Sequence, residues 1–200
     1  MTRRMFKILV FSFILTGLFL FPASAKDSPE TLLAKLPAEI GAFKLSGNVE
    51  VYDEKAMGAS LGYDNFDAGT SLTIYLYDLG QTDIADGIDS LVITQAKDEA
   101  IKEVEAVASE YGLYKDVKVL TDEKSEIAAD GGSAVKILRT CFTYEMVNPD
   151  NGESMGWQDS YMYVTGLKGY VCKFRATGPR GTDEGGIKRV VKGVLAALVK

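Results

Sequence analysis

The chain reads as an α+β protein, an antiparallel β-sheet of about five to seven strands covered by two main helices. Two observations predict this. Residues 134–177 hold three runs rich in β-branched and aromatic residues: AVKILRTCFTYEM (134–146), GWQDSYMYV (156–164) and GYVCKFRAT (169–177). Each is bounded by Gly, Asn or Pro, as strands of a meander are. Residues 90–111 and 183–199 instead carry apolar residues at helical spacing.

The first 25 residues read as an export signal rather than as part of the fold. Arg3, Arg4 and Lys7 make a positive start, Ile8 to Phe21 an apolar stretch, and Ala23-Ser24-Ala25 a small-residue cleavage site. The apolar stretch is shorter than the roughly 20 residues that span a bilayer. Cleavage after Ala25 would leave a periplasmic or secreted protein with no stable membrane insertion. No cysteine follows the cut, so a lipid anchor is not expected. Loss of the signal leaves 19 Lys+Arg against 28 Asp+Glu, a net charge of −9. Such a balance disfavours nucleic acid, anionic lipid and polyphosphate partners, which need clustered positive charge. The remaining 175 residues suit a single domain, 26–200, and no repeat or linker divides them.

In chain order, Glu30 to Leu36 forms a helical turn ended by Pro37. Three strands are expected next, Phe43 to Tyr52, Ala59 to Tyr63 and Thr70 to Leu79, with Asp64 to Gly69 as the turn before the last. In that last strand Leu72, Ile74 and Leu76 alternate with Tyr75 and Tyr77, so both faces are apolar and the strand is central. Gly80 to Asp89 is a loop. The helix over 90–111 then presents Ile93, Ala96, Ala100, Val104, Val107 and Tyr111 on one side, and Lys97, Glu99, Lys102, Glu103 and Glu110 on the other. Gly112 ends it. Val117 to Thr121 is a further strand, and Asp122 to Ser133 a polar loop. The helix over 183–199 carries an apolar stripe of Ile187, Val190, Val191, Val194, Leu195 and Leu198 behind the acids Asp183 and Glu184.

A register follows from the meander's turns. If Asn151-Gly152 is a two-residue loop, Phe142 faces Tyr161 and Tyr144 faces Asp159. A loop over Gly166–Gly169 sets Tyr161 opposite Phe174 and Tyr163 opposite Cys172. One face then gathers Phe142, Tyr144, Trp157, Tyr161, Tyr163, Tyr170 and Phe174, which a slip of one residue would divide. Cys141 and Cys172 fall on strands two apart, about 9.6 Å, too far for a disulfide.

The chemistry is largely defined by omission. The chain has no histidine, which removes the common Ser-His-Asp and Cys-His mechanisms and almost all zinc sites. It has no G-x-S-x-G elbow. Gly181, Gly185 and Gly186 precede a helix, but the acids among them oppose a phosphate and no P-loop lysine is present. Asp78, Asp83, Asp86 and Asp89 offer carboxylate oxygens, yet their spacing matches no calcium loop, and Asp also serves as turn former and helix cap. Carboxylate pairs such as Glu103/Glu105 and Asp64/Asp67 arise by chance among 28 acids. No catalytic residue, metal ligand or cofactor is assigned.

Two stretches carry a resemblance: LGYDNFDAGTSLTIYLYDLG (61–80), and DSYMYVTGLKGYVCKFRATGP (159–179) before the final helix. Together with the helices, over roughly 58–200, they resemble a family of uncharacterised exported bacterial proteins. The order of strands and helices is also similar to the PsbP-like fold of photosystem II extrinsic proteins, an antiparallel sheet between helices. That likeness implies architecture and carries no functional residues.

The sequence therefore favours an exported, non-catalytic ligand- or protein-binding accessory protein of the cell envelope, whose partner would be an envelope protein or a small ligand. Its surface would be drawn from Asp78, Asp83, Asp86, Asp89, Trp157, Tyr161 and Tyr163. The alternatives are a carboxylate-dependent hydrolase without histidine and a structural subunit of an envelope complex.

Overall fold

Among the described residues the strand-forming runs pair into one antiparallel sheet of nine strands, more than the five to seven expected. The computed structural model describes residues 26–52, 58–128 and 134–199. The proposed export signal, residues 1–25, lies outside the described residues. The elements are α1 (Pro29–Ala34), β1 (Glu39–Ile40), β2 (Phe43–Leu45), β3 (Glu50–Val51), β4 (Ala59–Asn65), β5 (Thr70–Tyr77), α2 (Leu91–Ser109), β6 (Tyr114–Ala128), β7 (Ala134–Val147), β8 (Ser154–Leu167), β9 (Tyr170–Pro179) and α3 (Glu184–Val199). The sheet order is β1-β2-β4-β5-β9-β8-β7-β6, with β3 paired to β4. The excess over expectation lies at one edge. The run 43–52 is broken into β2 and β3, and β1 adds a two-residue strand too short for alternation to reveal.

The other correction to the strands concerns β6. Only 117–121 reads as a strand, yet pairing to β7 continues through Ala128, and just 129–133 of the expected polar loop lies outside the described residues. β6 is an edge strand in which only Ile127 is buried and most residues are exposed, so the apolar alternation that marks half-buried strands is missing.

Both faces of the sheet are covered. On one side α3 and α1 enclose Tyr63, Leu72, Ile74, Leu76, Tyr163 and Phe174. On the other, α2 covers Phe142, Tyr144, Met162, Val164 and Val171. The alternation in β5 is realised as read, with Leu72, Ile74 and Leu76 toward α3 and Tyr77 toward α2. Ser90 caps α2 by accepting a hydrogen bond from the Val92 amide. Lys97 ties α2 to β6 through Asp122, at 2.6 Å. Ile93, Ala96, Ala100 and Val104 are buried, but Tyr111 lies past the helix and is 66% exposed. The positive φ of Gly112 turns the chain away there. Asp183 caps α3, its two carboxylate oxygens accepting from the Gly185 and Gly186 amides at 2.9 Å each. No helix among the described residues is long and apolar enough to cross a membrane.

The meander's register differs from expectation in both hairpins. Phe142 pairs with Ser160, and Cys141 takes the place opposite Tyr161. Two features combine: the turn closes between Asn148 and Glu153 and not around Asn151-Gly152 alone, a shift of two residues, and the extra residue Met155, before Gly156 at φ 102°, takes one back. This one-residue slip divides the aromatics: Phe142 and Tyr144 pack toward α2, while Tyr161, Tyr163 and Phe174 pack toward α3. The second turn is tighter than expected, with Lys168 and Gly169 both at positive φ between the paired Leu167 and Tyr170. That shift is two residues, which puts Tyr163 opposite Phe174 and leaves every side chain on its expected face. Cys141 and Cys172 are free, buried, and separated by β8.

All six residues of the α3 stripe are buried. Leu195, 1% exposed, is central among them. Leu195→Ala should lower stability by about 2–5 kcal/mol in a urea melt, the range for truncating a buried leucine. The denatured protein, recovered from its native compartment and titrated without reductant, should show two free thiols per chain.

Candidate functional site

The acidic loop is held as a structural clasp. Asp78 accepts a hydrogen bond from the Gly80 amide at 2.9 Å, closing a local turn. Gly87 and Gly166 exchange two backbone hydrogen bonds, at 2.9 and 2.7 Å, which lay the loop against the end of β8. A side chain on Gly166 would meet the Ala85 carbonyl oxygen at 2.0 Å, so only glycine allows this approach. Asp86 accepts from the Lys168 amide at 2.7 Å and so fastens the β8–β9 turn. Asp83 and Asp89 point to solvent. No group of three or more His, Cys, Asp or Glu among the described residues is arranged to hold a metal.

The three aromatic candidates lie on β8 beside the start of α3. The Arg180 guanidinium stacks 4.8 Å from the Trp157 ring. Tyr161 donates to the Thr182 carbonyl at 3.2 Å, and Tyr163 to Glu184 at 2.9 Å. Burial, with Cys141 and Asp159 nearby, pushes the Tyr161 hydroxyl up to about 12. Burial and then the Glu184 carboxylate raise Tyr163 further. Neither ionises near neutral pH. Tyr163 belongs to a network in which Arg139 grips Glu184 through two parallel hydrogen bonds of 2.5 and 2.8 Å, and also reaches Thr121 and Glu123. Tyr161, Tyr163 and Arg139 tie the sheet to the start of α3, while Trp157 stays half-exposed.

A cleft of about 280 Å³ opens on the opposite side of the sheet, between β5, β9 and α2. Its sheet wall is made by Tyr75 and Tyr77 of β5 and by Lys173 and Arg175 of β9. Alternation along the strands sets this wall, since these side chains all point away from the α3 core. Tyr52 lies at one side, its hydroxyl 3.0 Å from Ser60 Oγ. Ala96, Ala100, Val104 and Met162 form the apolar interior, and Glu99 and Glu103, one turn apart on α2, form the outer lip. The Lys173 ammonium lies 4.7 Å from the Tyr75 ring centroid and 5.6 Å from that of Tyr77. It touches Glu103 only loosely, at 3.4 Å; its own side chain is 13% exposed and that of Glu103 64%. Arg175 donates to Ser160 Oγ at 3.4 Å, and no carboxylate among the described residues lies within 4 Å of it. Burial, and then Glu103 and Glu99, raise the Tyr77 hydroxyl well above its ordinary value, so it remains a neutral donor.

A second groove, of about 240 Å³, runs between the β1–β2 edge and the start of α3, lined by Ile40, Phe43 and Ile187. Its two charged residues, Asp183 and Arg189, face each other at 3.4 Å. The cleft under α2 is the better candidate because its cations are not matched by buried acids. Sequence reasoning places Tyr75, Tyr77, Lys173 and Arg175 on their faces without joining them into a site. The legible signal was Lys173-Phe174-Arg175, two cations at alternate positions of a strand whose neighbours are apolar.

The Arg139–Glu184 pair has a pH signature. Burial alone would raise the Glu184 carboxyl, but hydrogen bonds from Arg139, Tyr163 and Lys188 hold it below the ordinary value of 4.5. A depressed folded-state value means stabilisation that is complete above about pH 4.5 and lost as the pH falls through the folded value. Glu184→Gln should cost about 1–3 kcal/mol at pH 7, less than for a fully isolated buried charge because Arg139 keeps Glu123 and Thr121. The gap between the two proteins should narrow in urea melts as the pH falls below 4.5.

Compared with known proteins, the chain matches no protein-family model, and no characterised sequence is significantly similar to it.

Proposed function

We propose that this is an exported, non-catalytic binding protein of the cell envelope, and that the cleft between α2 and the sheet takes a small amphipathic molecule. The observation that carries the reading is a concave site with tyrosine rings and an apolar interior, in which two partly buried cations have no buried carboxylate partner among the described residues. Small-molecule sites have this make-up, mostly apolar with a few placed polar groups. The volume of about 280 Å³ lies just below the usual range and suits a molecule of one ring or a short chain.

Export remains part of the proposal and rests on the Arg3, Arg4, Lys7 start, the apolar stretch and the Ala23-Ser24-Ala25 site. The likeness to PsbP-like proteins is likewise proposed. A large antiparallel sheet between helices supports it as architecture and lends no function.

One observation favours the hydrolase alternative, namely that Glu99 and Glu103 both border the cleft. Both project from one helix, side by side rather than across from each other. General acid–base hydrolysis needs carboxylates on either side of the scissile bond. The tyrosine hydroxyls beside them are held neutral by burial. Binding is the better reading.

A panel of neutral, anionic and cationic single-ring compounds should be titrated while the Met162 methyl resonance is followed, since that side chain lies inside the cleft. Saturable shifts at Met162, without turnover of ester, glycoside or amide substrates, are expected. Turnover that disappears in Glu103→Gln would establish the hydrolase instead.

A further inference from the structure

The charges around the cleft are arranged unevenly, and that arrangement selects a class of ligand. The charged groups on the sheet wall are cationic: Lys173 has a side chain 13% exposed and sits over two tyrosine rings, and the half-buried Arg175 has a serine hydroxyl as its one side-chain hydrogen-bond partner among the described residues. The acids Glu99 and Glu103 stand at the mouth, exposed to water. Charge at depth is poorly screened and charge at the lip is well screened, so the interior potential is set by the cations. A guanidinium without a carboxylate presents a planar fork of N–H donors suited to one carboxylate group. The acids at the lip meanwhile repel ligands that carry several negative charges.

Resting on the binding reading above, we propose that the cleft is specific for a small organic monocarboxylate. Its carboxylate is received by Arg175 with support from Lys173, and its aromatic or aliphatic body lies against Tyr75, Tyr77 and Met162. Glu103 competes with the ligand for Lys173 and lowers its affinity.

The test uses one ring with three charges: 4-hydroxyphenylacetate, its neutral amide 4-hydroxyphenylacetamide, and the cation tyramine. Each is titrated into the purified protein by calorimetry and at the Met162 methyl resonance. The carboxylate should bind at least tenfold more tightly than either analogue, the discrimination expected of a charge-assisted hydrogen bond. Arg175→Gln should weaken it at least tenfold and leave the amide unchanged. Glu103→Gln, at a 64% exposed side chain, should tighten the carboxylate about two- to threefold, a gain that no folding defect can imitate. Equal binding of carboxylate and amide at Met162 would overturn the proposal while sparing the binding reading. Preference for tyramine would do the same. Absence of any Met162 shift with all three would overturn both.

Discussion

The middle of the sheet meets water on neither face: every residue of β8 from Ser160 to Leu167 is buried. A sheet buried in this way needs a layer on each side, and α2 and α3 supply the two. It also confines hydrophilic side chains that cannot reach solvent. Thr165 donates to the Lys136 carbonyl at 2.8 Å, and Ser160 and Thr177 bond each other at 3.0 Å. Among the described residues no buried side-chain nitrogen or oxygen lacks a partner. Removing any of these partners would leave the full desolvation cost uncompensated.

The same constraint accounts for where charge is allowed. Arg139 is 8% exposed on the α3 side and is answered by Glu184, Glu123 and Thr121. Lys173 and Arg175 come up on the α2 side, two strands over, and receive no comparable answer. A fold that answers one buried cation with three partners, yet gives two others only polar contacts of 3.4 Å, has its weakest charge pairing in one place. That place is the concave one, under a helix whose Ala96 and Ala100 leave room above the sheet. Functional sites are where local rules of this kind tend to be broken.

The acidic loop shows the converse. Its aspartates look like ligands in the sequence, but Asp78 and Asp86 are engaged by backbone amides, and the loop is seated by the Gly87–Gly166 exchange. The conspicuous residues serve the fold. The site lies among residues that appear individually ordinary: a tyrosine pair in a strand, two cations in another, and a helix face.

Much of the fold was legible because it depends on local periodicity. The α3 stripe from Ile187 to Leu198, the two-faced β5, and the three strands of the meander all follow from spacings of 3.6 or 2 residues. The separation of Cys141 from Cys172 followed from chain order alone. Three things did not. The register of β7 on β8 depends on one bulged residue near Gly156, which hydrophobic patterning cannot see because both faces are apolar. The length of β6 depends on hydrogen bonds to β7 and not on burial, so its charged sequence gave no sign of it. The cleft depends on α2 crossing both β5 and β9, strands about 100 residues apart in the chain. Its residues acquire a common chemistry only when the sheet order brings β9 beside β5. Periodicity records which face a side chain occupies; which other faces it will meet is decided by packing across the sheet.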